Sequence, residues 1–77
     1  MVDAKALRYE MMDHNCSVSE LAKVCGISRS ALYRRLNGEV DFTLGEILKC
    51  SERLRLSSAR WQYIFIYSGE YAKRTLP

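Results

Sequence analysis

The sequence predicts an all-α domain of five short helices, residues 1–67, followed by a short C-terminal tail, residues 68–77. Three observations carry this reading. The one proline is the last residue, Pro77, so no ring interrupts a helix in the body of the chain. β-Branched residues are sparse until the run from Tyr63 to Tyr67. Helix starts and stops alternate: two S/T-x-x-E boxes, at Ser17 and Thr43, and serines at 28 and 57 or 58, with Asn, Gly or Asn-Gly between them.

Helix one covers about Ala4 to His14. Asp3 caps it, and Leu7 and Met11 form an i,i+4 apolar pair. Asn15 then tolerates the left-handed conformation that ends a helix. Helix two opens on the box of Ser17 and Glu20, with Cys16 and Leu21 spaced as a hydrophobic staple. Leu21, Ala22 and Val24 are expected to face inward, and Gly26 stops the helix. Helix three starts almost at once, capped by Ser28, and runs to about Leu36 before the Asn37-Gly38 stop. So short a connection after a glycine forces a sharp bend, the geometry of a helix-turn-helix.

Helix four begins at Thr43, boxed by Glu46. Leu44, Ile47, Leu48 and Leu54 are expected to form its buried stripe, with Arg53 and Arg55 at its C-terminal end. Gly45, inside the first turn, suggests a close backbone contact. Helix five starts near Ser57 or Ser58 and carries Trp61, Ile64 and Phe65. Periodicity does not separate helix from strand in "YIFIY", Tyr63 to Tyr67. After Ser68-Gly69 the tail is either frayed or a short strand.

Composition narrows the function. The chain has 77 residues, 48% of them apolar, and a net charge of +3, which describes one small folded domain. No apolar run approaches the roughly 20 residues of a membrane span, and "MVDAKALRYEMMDHN" is too charged for a signal peptide, so a cytoplasmic protein without membrane partners is expected. Cys16, Cys25 and Cys50 come with a single histidine, His14, and no metal-ligand spacing; they read as free thiols packed as small apolar groups. No metal, cofactor or small-molecule ligand is expected. No nucleophile motif or phosphate loop is present, and Glu20 and Glu46 are accounted for as caps, so an enzyme is disfavoured.

Charge is concentrated instead on "GISRSALYRRLNG", Gly26 to Gly38. Between Glu20 and Glu39 lie Lys23, Arg29, Arg34 and Arg35 with no acid, which suits an anionic partner. On a helical wheel Leu32 and Leu36 face the core, while Arg34 and Ser30 centre the opposite side, flanked by Ala31, Arg35 and Tyr33. A helix fits the major groove, and arginine can donate two hydrogen bonds to guanine O6 and N7. Serine reads several base edges, and the Ala31 methyl suits a thymine methyl. Ser19, Lys23 and Ser28 are placed to hold phosphates, Tyr33 to stack along the sugar-phosphate backbone, and Arg35 either holds a phosphate or is solvated.

These residues resemble the Cro/repressor-like helix-turn-helix (XRE) family of lambdoid phages, and the short phage-type regulators within it. The match lies in "SELAKVCGISRSALYRRLNG", Ser19 to Gly38: the Leu-Ala of helix two, the glycine at the turn, a β-branched residue after it and the Asn-Gly exit. It extends more weakly over about residues 4 to 66. The resemblance implies a sequence-specific double-stranded DNA-binding regulator. Positions one, two and six of "RSALYRRL", Arg29, Ser30 and Arg34, would then read bases. Val18 stands where relatives often carry a phosphate-binding glutamine, and the loop "EVDF" is acidic at Glu39 and Asp41 where theirs is often basic.

A weakened phosphate clamp implies weak binding by one copy, hence a homodimer on a palindromic operator. The candidate interface is Trp61, Phe65, Ile66 and Tyr67, although Trp61 and Phe65 read more readily as the last of the core. Repression by promoter occlusion, in a phage or mobile element and at a bacterial nucleoid, is the simplest mechanism. The alternative is a protein-binding adaptor or anti-repressor that keeps the fold without specific DNA reading.

Overall fold

A computed structural model describes residues 2–67. Five α-helices follow in order: α1 (Ala4–Asp13), α2 (Val18–Cys25), α3 (Arg29–Leu36), α4 (Leu44–Arg53) and α5 (Ser58–Gln62). α5 runs directly into a π-helical segment, Tyr63–Tyr67, so the ambiguous "YIFIY" run is a wider helix. The described residues contain no strand. Whether the tail pairs as a strand lies outside them.

Each helix begins where its cap dictates. The carboxylate of Asp3 accepts from the Ala6 amide at 3.0 Å. Ser17 and Thr43 both complete capping boxes, with Glu20 and Glu46 reaching back to the cap amides. Ser28 and Ser57 cap α3 and α5 by accepting from the Ala31 and Arg60 amides. The stops are equally local. Gly26 and Gly38 sit in the left-handed region at φ 73° and 80°, and Asn15 does so at φ 50°. Arg55, also left-handed at φ 53°, turns the chain out of α4 without a glycine.

One core joins all five helices and the π-helical segment. Leu7, Leu21, Leu32, Leu54 and Ile64 are fully buried, one from each of α1, α2, α3, the end of α4 and the π-helical segment. Met11, Ala22, Cys25, Leu36, Ile47 and Cys50 complete it, with Trp61 packed against it from α5. Phe65 meets Phe42 edge to face, 5.1 Å between ring centroids, and so pins the loop before α4 to the C-terminal segment. The Asp3 amide donates to the Ile64 carbonyl at 2.7 Å, which joins the start of α1 to the π-helical segment. The Glu10–Arg60 ion pair, at 2.8 Å, joins α1 to α5.

Three inward assignments are corrected. Val24 is exposed; the buried face of α2 is Leu21, Ala22 and Cys25. Leu44 and Leu48 are 62% and 48% exposed, and Cys50 and Ser51 occupy the buried stripe of α4 with Ile47 and Leu54. The cause is rotation about the helix axis: Ile47, Cys50, Ser51 and Leu54 share one face, and Leu44 and Leu48 flank it. Ser51 is accommodated there because its hydroxyl donates to the Ile47 carbonyl at 2.6 Å.

Gly45 makes no close approach. A Cβ at that position would meet only the Thr43 Oγ1, at 4.0 Å, and its φ is not positive. Gly45→Ala should therefore raise the unfolding free energy by about 0.5–1 kcal/mol, because alanine lowers the backbone entropy lost on helix formation. A urea melt of the variant beside the parent reads this directly; a loss of stability would mean that the first turn of α4 is more crowded than it looks.

Candidate nucleic-acid interface

α2 and α3 are joined by Gly26, Ile27 and Ser28 alone. The left-handed Gly26 lets the Ile27 amide return to the Ala22 carbonyl, 3.0 Å away, and Ile27 packs on the core. Ser28 then starts α3 in a new direction. Leu32 and Leu36, 0% and 5% exposed, fix which face of α3 is turned inward.

The remaining face holds most of the residues expected there. Arg29, Ser30, Tyr33 and Arg34 are exposed, and Ala31 is half-buried beside them. Arg34 approaches only Glu39, at 4.0 Å with both side chains more than half exposed, a contact too loose to hold the guanidinium. Among the described residues no ion pair engages Arg29 or Lys23. Ser19 and Lys23 are exposed on α2 and Ser28 at the head of α3. The Ser28 oxygen is occupied as a cap, which leaves its hydroxyl hydrogen to donate.

Arg35 differs from the expectation. It turns away from this face and forks onto Glu46: Nε to Oε1 at 2.8 Å and Nη2 to Oε2 at 3.2 Å. Nη1 donates to the Ala31 carbonyl at 3.1 Å. The two side chains are only 14% and 11% exposed. The fork and the Ala31 bond occupy three of the five N–H groups of Arg35 and hold it at the contact between α3 and α4. Burial pushes the Glu46 carboxyl up, but the hydrogen bonds from Arg35 and Thr43 outweigh this, and the net shift is downward. Glu46 was legible only as a cap; its second role depends on α4 crossing the end of α3, which no local pattern encodes.

The C-terminal surface also contracts. Phe65 is 6% exposed and belongs to the core, and Trp61 packs against that core. Ile66 and Tyr67 remain 41% and 44% exposed. Tyr63, 47% exposed, lies under the Arg60 guanidinium at 5.8 Å and was not singled out in the sequence. The possible ligand groups of Glu10, Asp13 and His14 fall within 4.8 Å of one another. There, Glu10 is already held by Arg60 at 2.8 Å, and His14 Nδ1 lies 3.0 Å from the Glu10 carbonyl. No helix among the described residues is long and apolar enough to cross a membrane.

Residues 7–61 match a family model described as helix-turn-helix. No curated protein and no solved structure matches the chain.

The Arg35–Glu46 fork should be visible in stability before any ligand is added. Arg35→Ala is expected to cost about 2–3 kcal/mol, since it strands a largely buried carboxylate. A carboxyl shifted down contributes stability that is complete above the ordinary carboxylate range and is lost as pH falls through its folded value. The urea midpoint should therefore drop between about pH 5 and pH 2, and Glu46→Gln should flatten that acid limb. An unchanged limb in Glu46→Gln would place the acid sensitivity elsewhere.

Proposed function

Because the chain belongs to the helix-turn-helix family of Cro/repressor type, a family of DNA-binding regulators, we propose that it is a sequence-specific regulator that inserts α3 into the major groove of double-stranded DNA. One observation carries this reading: Leu32 and Leu36 are buried on α3, while Arg29, Ser30 and Arg34 stand exposed on its other side. That is an anchored helix offering two guanidinium forks and a hydroxyl to base edges, with Ala31 beside them for a thymine methyl. Ser19, Lys23, Ser28 and Tyr33 supply the flanking phosphate contacts.

With Arg35 committed to Glu46, few cations remain for phosphate, and Glu39 and Asp41 oppose it from the adjoining loop. Two copies on a palindromic site supply what one lacks, reading grooves about 34 Å apart. Ile66 and Tyr67 are the surface for that pairing, with Trp61 at its edge. Blocking of a promoter in a phage or mobile element, in the host cytoplasm at the nucleoid, is the simplest regulatory outcome. A protein-binding adaptor or anti-repressor is the second reading, and the exposed Leu44 and Leu48 on α4 favour it.

Selection of bound sequences from a random DNA pool, followed by gel shifts, separates the two. Arg29→Ala or Arg34→Ala should each cost about 1–3 kcal/mol on the selected site and relax one base position. Lys23→Ala should weaken every sequence alike and lower the salt slope by about one. Uniform weak binding, indifferent to Arg34, together with a stable protein partner would establish the adaptor instead. Dimer formation has its own readout. Ile66→Glu should shift sedimentation on a two-half-site DNA from a 2:1 to a 1:1 complex and leave half-site affinity within about twofold; a 2:1 complex that survives would remove this surface from the interface.

A further inference from the structure

Cys25 ends α2 and Cys50 lies on the buried face of α4, and their sulfurs stand 3.0 Å apart. The pair is 25 residues apart in sequence, and all of α3 lies between its members. Both are buried, at 5% and 0% exposure, in the seam where α2 packs on α4. Cys16 is differently placed, its thiol donating to the Ser17 carbonyl at 3.7 Å. Packing alone accounts for a buried cysteine, but it does not require two thiols to share a hydrogen bond across a helix–helix contact.

We propose that Cys25 and Cys50 are an oxidisable dithiol that closes to an intramolecular disulfide on reaction with a peroxide, stapling α2 to α4 around α3. The sulfurs need approach by only about 1 Å to reach the bond length of about 2.05 Å. Cys25 is the attacking member. Hydrogen bonding from Cys50 lowers its thiol against the opposing effect of burial, while the same bond and burial raise Cys50. Cys25 keeps 5% exposure at the end of α2, whereas Cys50 has none, which makes Cys25 the member that an oxidant meets first.

The chemistry balances. The Cys25 thiolate attacks one peroxide oxygen, the O–O bond breaks, and a sulfenic acid and one water result once the leaving hydroxide takes up a proton. The Cys50 sulfur then attacks the Cys25 sulfur, the S–O bond breaks, and a second water leaves. The two sulfurs supply the two electrons that reduce the peroxide. A thiol reductant reverses the closure by exchange.

Neither sulfur is on the outward face of α3, so the proposal stands or falls independently of DNA reading. The test uses the full chain treated with an excess of hydrogen peroxide, quenched, alkylated and digested with trypsin. The three cysteines fall on separate peptides, Tyr9–Lys23, Val24–Arg29 and Cys50–Arg53. The expected result is an intact mass lower by about 2 Da, one remaining alkylatable thiol on Tyr9–Lys23, and a reducible link between Val24–Arg29 and Cys50–Arg53. The oxidised protein should melt roughly 10 °C higher than the reduced one. Cys16→Ser should keep the link, and Cys25→Ser should abolish it. Three alkylatable thiols after treatment, a link to Cys16, a covalent dimer, or irreversible oxygen addition at Cys25 would each overturn the proposal. The peptide map is read on the unsubstituted chain, so a variant that fails to fold does not weaken it.

Discussion

Glu46 accepts two hydrogen bonds from one edge of the Arg35 guanidinium while its other bonds close the capping box with Thr43. That single carboxylate therefore starts α4 and ties it to the C-terminal half of α3. Arg35 adds a bond to the Ala31 carbonyl one turn back, so the fork also braces the helix it belongs to. The angle at which α3 leaves the body of the domain is set here and at Leu32 and Leu36. A charge pair this well enclosed contributes little net free energy over an apolar substitute, yet it tolerates only one geometry. Its contribution is orientation more than bulk stability. Fixing the rotation of α3 in this way fixes which of its side chains are turned outward: Arg29, Ser30 and Arg34.

What the sequence disclosed and what it concealed divide along the range of the interactions. Ser17, Ser28 and Thr43 were recognisable as caps because a cap and its partner lie three residues apart. Gly26, Gly38 and Asn15 were recognisable as stops because left-handed backbone narrows the choice of residue. The outward set of Arg29, Ser30 and Arg34 followed from the two leucines opposite them, again within one helix. Leu44, Leu48 and Val24 were misplaced because apolar character does not say which flank of a helix meets its neighbour. Ser51 was overlooked in the core because a serine that bonds its own helix carbonyl behaves as a small apolar residue. Local pattern does not assign Arg35 because its partner is eleven residues away, on an element whose crossing is not locally encoded.

The "YIFIY" run illustrates a third case. Two tyrosines, two isoleucines and a phenylalanine fit a strand by propensity, yet Ile64 and Phe65 are adjacent and both buried. Alternation would place neighbours on opposite faces. A widened helical turn lets adjacent side chains share one side, and it leaves Tyr63, Ile66 and Tyr67 exposed to different degrees. The core takes Ile64 and Phe65, and Tyr63, Ile66 and Tyr67 keep part of their surface exposed.

The hydrogen bond from Asp3 to Ile64 has a further meaning for the architecture. The start of α1 lies against the π-helical segment, close to the end of the described residues. Elements whose ends meet in this way behave as a cassette: they can be spliced into a longer polypeptide, or joined end to end and reopened elsewhere, with little rearrangement of what lies between.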